Sequence, residues 1–155
     1  MANFYLDTSA LVKRHVASET GSAWVQGLCA PSAGNLFLTS QIVLVEVAAA
    51  LARKEREGEI TPDERISYLG LFVQDCQHHY HLVPLADILL RLAADLTHRQ
   101  ALRAYDAIHL ATAIRANTLI VSSGASALTF VSADVHLCAA GRGEGLSVDD
   151  PLNHP

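Results

Sequence analysis

The sequence predicts an α/β fold in which helices cover both faces of a mostly parallel sheet. Strand-like apolar runs alternate with helical segments along the chain, and this alternation is typical of parallel sheets. The chain has 155 residues, half of them hydrophobic, which suits one domain with a substantial core. We therefore expect a single domain over residues 1–150, followed by a loose tail at 151–155.

Five apolar runs have the length and composition of buried strands. They cover residues 3–6, 36–39, 81–84, 129–132 and 146–148. A sixth run at 118–123 (TLIVSS) also has strand propensity, but it follows a helix with no strong stop signal. We predict that this run continues the helix.

Capping signals place the helices between these strands. Thr8 or Ser9 can cap the first helix, and Ser40 can cap a long helix that Gly58 ends. The segment 61–64 (TPDE) combines a capping box with proline at the first helical position. The predicted helices cover residues 10–13, 19–28, 40–57, 61–77, 86–98 and 104 onward, with a short helix between the last two strands.

Composition argues against several classes of protein. The net charge of −5 disfavours binding of nucleic acid by bulk electrostatics, although bound divalent ions would neutralise most of that charge. The three cysteines include no CxxC pair, so neither a zinc knuckle nor a disulfide framework is indicated. The N-terminus does not resemble a signal peptide, and no apolar stretch approaches the roughly 18 residues of a membrane span. We expect a cytoplasmic protein without a membrane partner.

Four carboxylates stand where a parallel sheet places its ligands. Asp7 ends the first strand, Asp134 ends the fourth, and Asp106 lies near the start of an apolar helix. Glu46 interrupts the apolar run IVLVEVAAALA. Ligands of parallel sheets bind beyond the carboxyl ends of the strands, and Mg²⁺ and Mn²⁺ prefer carboxylate oxygens. The pattern therefore predicts a site for divalent cations.

Each acid also has a purely structural explanation. Asp7 and Asp134 could be helix N-caps, and Asp106 could complement a helix dipole. Capping by a neighbouring hydroxyl would free Asp7 for another role. Glu46 could lie at the polar edge of its helix, but glutamate is rarely buried without a partner. Glu46 is therefore the most informative of the four.

The four acids lie within four motifs, at 7–14 (DTSALVKR), 45–51 (VEVAAAL), 103–113 (RAYDAIHLATA) and 130–134 (FVSAD). These motifs resemble those of PIN domains, with the closest likeness to the toxin component of VapBC toxin–antitoxin modules. Their order and spacing agree with those of that family over nearly the whole chain. The segment 117–129 is less typical, and 141–145 is rich in glycine.

The resemblance implies a three-layer α/β/α fold with a five-stranded sheet in the order 3-2-1-4-5. It also implies cleavage of RNA dependent on Mg²⁺ or Mn²⁺, a homodimer, and an antitoxin that blocks the site. Asp7, Glu46 and Asp106 match the main metal-binding acids, and Asp134 matches a fourth, less certain one. Ser9 matches a hydroxyl that supports the first acid, and Ser132 stands where members often carry serine or threonine.

The expected reaction is hydrolysis of a phosphodiester by in-line attack of water, leaving 5′-phosphate and 3′-hydroxyl ends. Lys13 and Arg14 closely follow the first motif and are candidate contacts to RNA phosphates. Arg99 and Arg103 are further candidates, because a continuous helix would place them on one face. The alternative for each of the four is an ordinary solvated surface.

Other charged residues favour structural interpretations. The segment 53–57 (RKERE) alternates in charge and is interpreted as a solvated, salt-bridged helix end. His78, His79 and His81 are interpreted as a fortuitous surface group. His109 lies three residues after Asp106, so it is either in contact with the site or a packed, hydrogen-bonded histidine.

Rival functions remain open at this stage. A phosphatase with an aspartyl nucleophile would have an acid two residues after the first, where this chain has Ser9, and a receiver domain would have paired acids near Asp7. A structure-specific DNA nuclease would need further DNA-binding elements. A non-catalytic module with the PIN fold could bind RNA or protein. The RNA target could be transfer, ribosomal or messenger RNA.

Overall fold

Five parallel strands form one sheet in the order β3-β2-β1-β4-β5 in the computed structural model, which describes residues 1–154. Each neighbouring pair is parallel, with Phe4 opposite Phe37 and Tyr5 opposite Phe130 in the central pairings. The predicted α/β class and strand order are therefore confirmed. The strands are Asn3–Leu6 (β1), Leu36–Ser40 (β2), Tyr80–Val83 (β3), Thr129–Val131 (β4) and Ser147–Asp149 (β5).

Seven α-helices in the described part of the chain connect and cover these strands. Their bounds are Thr8–His15 (α1), Ser22–Leu28 (α2), Val43–Arg56 (α3), Pro62–His78 (α4), Asp87–Arg99 (α5), Ala104–Ser122 (α6) and Val135–Gly143 (α7). Short 3-10 helices lie at Pro31–Ala33 and Pro151–Asn153. None of the helices within residues 1–154 has both the length and the apolar character needed to cross a membrane.

The central strand contributes side chains to hydrophobic clusters on both faces of the sheet. Tyr5 packs in the cluster covered by α5, α6 and α7, together with Phe130 and Leu110. Leu6 packs in the opposite cluster with Phe72, and α1, α3 and α4 cover that face. Successive residues of a strand point to opposite faces, so a strand buried on both sides needs an uninterrupted apolar run. The run NFYL provides one, and it places the residue that follows at the carboxyl edge of the sheet.

Two helix caps differ from the expected ones. Asp7, rather than Thr8 or Ser9, caps α1 and accepts a hydrogen bond from the Ala10 amide. Ser40 ends β2 instead of capping α3, which begins at Val43 without a side-chain cap. At α1 the local sequence offers three good capping residues, and the end of β1 places the first of them, Asp7, at the cap position.

Other local predictions agree with the structure. The capping box at Thr61 and Glu64 has both of its hydrogen bonds, and Gly58 has the positive φ of +76° that ends a helix. The ambiguous run at 118–123 continues α6 as far as Ser122, which confirms the predicted helix. Strand β3 begins one residue earlier and β5 one residue later than expected.

Two residues of the expected C-terminal tail, Pro151 and His154, make specific contacts, while Leu152 is 42% exposed. Pro151 is buried against α2, where its carbonyl approaches Gly21 so closely that a Cβ there would lie 2.2 Å away. The ring of His154 stacks on Trp24 with centroids 4.2 Å apart. Asp150 caps the 3-10 helix by accepting a hydrogen bond from the Leu152 amide at 2.8 Å. Residue 155 lies outside the described part of the chain.

Candidate active site

All four predicted acids line one cleft of about 470 Å³ at the carboxyl ends of β1 and β4. Asp7 and Asp134 are the N-cap residues of α1 and α7, while Glu46 and Asp106 lie in the first turns of α3 and α6. Four helices therefore begin at the cleft. The positive ends of their dipoles favour negative charge there, which makes the accumulation of carboxylates less unfavourable.

Asp7 lies at the floor of the cleft and is only 4% exposed. Its Oδ1 accepts hydrogen bonds from the Ser9 hydroxyl at 2.6 Å and the Ala10 amide at 3.0 Å. Its Oδ2 accepts one from the Ser132 hydroxyl at 2.6 Å. Burial raises the pKa of Asp7, and the electrostatic interaction with His109 and these hydrogen bonds oppose that rise. Asp7 is therefore both a helix cap and a part of the cleft, which the sequence analysis treated as alternatives.

The two serines also connect β4 to the start of α1. The Ser9 hydroxyl accepts a hydrogen bond from the Ala133 amide at 2.8 Å. The Ser132 hydroxyl accepts one from the Asp134 amide at 3.1 Å. Each hydroxyl thus bridges the Asp7 carboxylate and the backbone that follows β4, so the position of Asp7 is fixed from two sides.

Glu46 projects from α3 towards α6 and α1. Its Oε2 accepts hydrogen bonds from the Thr8 hydroxyl and from His109 Nε2, both at 2.6 Å. Burial tends to raise the pKa of Glu46, but the hydrogen bond and electrostatic interaction with His109, together with the Thr8 bond, hold the pKa below its usual value. Glu46 is therefore a partly buried carboxylate with specific partners, and not a residue at a solvated helix edge.

Asp106 and Asp134 complete the acidic lining. Burial raises the pKa of Asp106, and the negative charges of Asp134 and Asp7 raise it further. Asp134 caps α7 through its Oδ1, which accepts a hydrogen bond from the Leu137 amide at 2.9 Å. Asp106 is therefore close enough to Asp7 and Asp134 for their charges to repel its own, and this repulsion favours a positive ligand.

The chemical type of the ligand atoms in the cleft suits a hard divalent cation. The acids offer carboxylate oxygens, the ligands that Mg²⁺ and Mn²⁺ prefer. Within residues 1–154, no three His, Cys, Asp or Glu side chains converge closely enough to hold an ion unaided. Mg²⁺ commonly keeps several waters and binds one or two carboxylates together with substrate phosphates. The residues that could hold such an ion are Asp7, Asp106 and Asp134, with Glu46 beside them.

Three basic side chains line the cleft: Lys13, which was expected there, and Arg53 and Lys54, which were not. Lys13 lines the cleft, is 5% exposed, and donates a hydrogen bond to Glu19 at 2.8 Å. Arg53 and Lys54 of α3 also line it, although the sequence analysis interpreted them as solvated. Lys54 forms ion pairs with both Glu19 and Glu59. This helix end is salt-bridged and Arg53 is exposed, as expected, but both side chains also line the cleft, which was not expected.

Two of the other candidate RNA contacts lie outside the cleft lining. Arg14 faces Asp75, with 3.6 Å between Nε and Oδ2. Arg99 donates two hydrogen bonds to Glu144 at 2.8 and 3.0 Å. Arg99 and Arg103 do not share one helix face, because α5 ends at Arg99 and Ala101 has a positive φ of 52° before α6 begins.

Arg103 is nearer to the acids than Arg99 is. It is the N-cap residue of α6, it is exposed, and its charge lowers the pKa of Asp106. Arg103 therefore flanks the acidic cluster without lining the cleft itself. The histidines at 78, 79 and 81 are exposed and lie away from the cleft.

Sequence reasoning missed two contacts within the cleft. Thr8 was considered only as a cap, yet its hydroxyl binds Glu46. His109 had been given two alternative roles, and it fulfils both because it is buried and hydrogen-bonded to Glu46. The signal for His109 was its spacing from Asp106, since residues three apart share one face of a helix.

Comparison with known proteins identifies a family for this chain. The family model described as PIN domain matches residues 4–129, which is most of the chain and includes three of the four acids. A comparison with curated protein sequences gives no significant match.

Solved structures with the same fold include PAE2754 from Pyrobaculum aerophilum, with a TM-score of 0.61 and 18% identity over 99% of this chain and 85% of that one. VapBC2 from Rickettsia felis, bound to a DNA fragment from their promoter, has a TM-score of 0.60 and 14% identity over 96% of this chain and 98% of that one. VapC20 from Mycobacterium tuberculosis, a Sarcin-Ricin loop cleaving toxin, has a TM-score of 0.61 and 16% identity over 89% of this chain and 95% of that one. At these identities the likeness shows the fold alone.

Proposed function

This chain belongs to the PIN domain family, and we propose that it is a metal-dependent endoribonuclease that acts as the toxin of a type II toxin–antitoxin pair. One observation carries the proposal: Asp7, Glu46, Asp106 and Asp134 come from separate helices and line a single cleft. Carboxylates that repel one another are unfavourable in a folded protein unless a cation offsets the repulsion. A cation site is therefore the function that best explains their convergence.

The proposed reaction is hydrolysis of an RNA phosphodiester. The oxygen of a water molecule bonds to phosphorus, the bond from phosphorus to the 3′ oxygen breaks, and that oxygen takes up a proton. Bound Mg²⁺ or Mn²⁺ would activate the water and stabilise charge on the phosphate oxygens. The role of Asp7, fixed by three hydrogen bonds, is to keep carboxylate oxygens at the floor of the cleft. Asp106 is placed beside it, and Asp134 completes a second, weaker site.

The basic residues at one side of the cleft support binding of a phosphate backbone. Arg53 is exposed, and Lys54 shares Glu19 with Lys13 and also pairs with Glu59, so these three cations face two acids. A strand of RNA that reaches the acids can place a neighbouring phosphate near these groups. Phosphate contacts position a nucleic acid without selecting its sequence. Arg103 is a further candidate contact on the other rim.

The toxin assignment rests on the structural neighbours. One neighbour is VapBC2 bound to a DNA fragment from their promoter, and another is VapC20, a Sarcin-Ricin loop cleaving toxin. By analogy we propose a protein antitoxin that covers this cleft, and an RNA substrate in the cytoplasm. A wild-type protein that cleaves RNA equally well with and without the product of an adjacent small reading frame would contradict the antitoxin.

We also propose a homodimer. An apolar groove of about 390 Å³ lies beside α5 and α6, where Ile88 and Leu119 are 54% and 62% exposed. Exposed apolar surface of this kind is typical of subunit interfaces. Sedimentation equilibrium gives the mass directly, and a monomer at micromolar concentration would contradict the dimer.

A non-catalytic PIN-fold module that binds RNA or protein is the second candidate. It is favoured by one observation: within residues 1–154, no three potential ligands are arranged to hold an ion by themselves. Such a module would bind RNA without cutting it, and EDTA would leave binding unchanged.

The test is incubation of purified protein with total cellular RNA in Mg²⁺, in Mn²⁺ and in EDTA. The proposal predicts discrete fragments with 5′-phosphate ends in the presence of either ion and none in EDTA. Asp106→Asn, purified in the same way, controls for a contaminating nuclease and should give no fragments. RNA that is bound but remains intact in all conditions would support the binding module instead.

A further inference from the structure

A buried chain of hydrogen bonds runs from the sheet to Glu46. The Ser40 amide donates to the Tyr5 hydroxyl at 3.1 Å, and that hydroxyl lies 2.9 Å from His109 Nδ1. His109 Nε2 lies 2.6 Å from Glu46 Oε2. Tyr5 is fully buried and His109 is 2% exposed, so water does not compete for these bonds. The chain joins β2, β1, α6 and α3 in a single path.

The two ends of this chain fix the direction of its bonds. The Glu46 carboxylate can only accept, so His109 Nε2 carries a hydrogen and donates to Glu46. In a neutral imidazole Nδ1 is then the acceptor, so the Tyr5 hydroxyl donates to Nδ1. The Ser40 amide can only donate, and the Tyr5 oxygen accepts from it.

Only one of the two carboxylate oxygens of Glu46 takes part in these hydrogen bonds. The hydrogen bonds from His109 and Thr8 both fall on Oε2, and no hydrogen bond within residues 1–154 uses Oε1. A free glutamate samples many rotamers, and fixing it costs about 1–2 kcal/mol of conformational entropy. Two donors on one oxygen fix the carboxylate in one orientation and leave the other oxygen for a ligand.

We propose that His109 is a positioning residue, which holds Glu46 ready for a divalent cation while Tyr5 fixes the tautomer of His109. The inference rests on the proposed function, since it assigns Glu46 to the cation site. Partners of metal ligands commonly fix ligand orientation in this way, and their loss costs about 10–100-fold in metal affinity or activity. His109 itself holds the carboxylate and touches neither RNA nor metal.

Two substitutions separate this role from simple packing. The amide nitrogen of His109→Gln can occupy the place of Nε2 and still donate to Glu46. His109→Asn places its amide near Nδ1 and is too short to reach Glu46. Both replace the ring with a smaller polar side chain, so damage to packing is similar in the two proteins. Circular dichroism and thermal unfolding confirm that each variant is folded before it is compared.

The measurement is Mn²⁺ affinity by isothermal titration calorimetry, with RNA cleavage measured in parallel. We expect His109→Asn to bind Mn²⁺ at least about 10-fold more weakly than wild type, as Glu46→Gln does, and His109→Gln to remain within about 3-fold of wild type. Equal affinities of the folded Gln and Asn variants would overturn the inference.

The two proposals fail in different ways. A wild-type protein that binds Mn²⁺ and cleaves RNA, with affinities equal in both His109 variants, keeps the proposed function and removes the role of His109. A wild-type protein that binds Mn²⁺ without cleaving RNA removes the nuclease, and the variants still decide the role of His109. No binding of Mn²⁺ by the wild type contradicts both.

Discussion

The Ser132 hydroxyl donates a hydrogen bond to Oδ2 of Asp7 at 2.6 Å and thereby joins the carboxyl ends of β4 and β1. Both residues are buried, with exposures of 0% and 4%. A carboxylate in such a place requires donors, because burial without them would strongly favour its neutral form. The same hydrogen bond therefore stabilises the edge of the sheet and favours the charged form of Asp7 at the floor of the cleft.

Ser132→Ala should lower both activity and stability. The substitution removes the donor to Asp7 and the acceptor of the Asp134 amide, and it leaves buried polar groups unpaired. We expect the free energy of unfolding to fall by about 1–3 kcal/mol, and cleavage to fall about 10–100-fold. Urea denaturation and single-turnover cleavage measure the two effects. Ser32→Ala, at an exposed position, is the control, and similar values for both variants would contradict the role of Ser132.

Asp106→Asn should stabilise the protein in EDTA at pH 7. The folded-state pKa of Asp106 is raised by burial and by Asp134 and Asp7, so its contribution to stability is present below the ordinary aspartate pKa and lost as pH rises through the raised value. Removing the charge therefore raises the melting temperature at neutral pH, and the gain should shrink as the pH falls towards about 4. Added Mg²⁺ should raise the melting temperature of wild type more than that of the variant.

The control for this experiment is Asp87→Asn, which removes an exposed acid from the first turn of α5. It should not gain stability at neutral pH, since the charge of Asp87 favours the start of its helix. A lower melting temperature for Asp106→Asn than for wild type at pH 7 in EDTA would show that the acids do not repel one another.

His15 should make the protein less stable in mild acid. Burial lowers its pKa to about 4, and its Nε2 has no hydrogen-bond partner although Asp75 lies 3.5 Å away. The stability that neutral His15 contributes is present above the ordinary pKa of about 6.5 and lost as pH falls towards 4. The expected loss is at most about 3 kcal/mol. Urea denaturation at pH 7 and pH 4.5 should show a smaller decline for His15→Gln than for wild type.

His81→Gln is the control for the His15 experiment, because His81 is exposed. His81→Gln should follow the wild-type decline, because both proteins keep His15. If His15→Gln loses as much stability as wild type between the two pH values, the buried histidine does not control this transition.

Gly21→Ala should release the C-terminal 3-10 helix. Gly21 has a φ of +80°, and a Cβ there would lie 2.2 Å from the Pro151 carbonyl oxygen. We expect a loss of at least about 2 kcal/mol, from the left-handed backbone and the clash together. Fluorescence of Trp24, the only tryptophan, should change as His154 leaves its ring. Gly27→Ala, inside the helix that Gly21 caps, is the control. Its Cβ would meet nothing within 4 Å, so this variant should be neutral or slightly stabilising. Equal changes in stability and fluorescence for the two variants would refute the close contact of Gly21 with Pro151.

The alternation of strands and helices was sufficient to predict the sheet, because buried parallel strands need apolar runs that local sequence displays. It was also sufficient to locate Asp7 and Asp134, since strand ends in this fold lie on one edge, whereas Glu46 and Asp106 lie in the first turns of helices. The cap of α1 was not predictable in the same way. Asp, Ser and Thr all cap well, and only the contact between Ser132 and Asp7, 125 residues apart, explains why Asp7 can serve both as cap and as lining.

The basic residues show where the sequence was harder to interpret. Arg53 follows Glu46 by seven residues, two turns along α3, and this spacing places both on one helix face. That signal was available and was outweighed by the alternating charges around it. The break between the helices at 86–98 and 104 onward was predicted, but the positive φ of Ala101 within it was not, because no glycine or proline lies nearby. Pro151 is held by Gly21, a partner 130 positions away that no local pattern reveals.

The most direct test of the account is single-turnover cleavage of one susceptible RNA at saturating Mg²⁺ by wild type, Asp7→Asn and Asp87→Asn. Asparagine is a good N-cap, so Asp7→Asn should fold while losing the charge that would hold a cation. We predict that its rate falls by more than about 100-fold, with Asp87→Asn at the wild-type rate. A folded Asp7→Asn protein that cleaves as fast as wild type would contradict the assignment of this cleft as the active site.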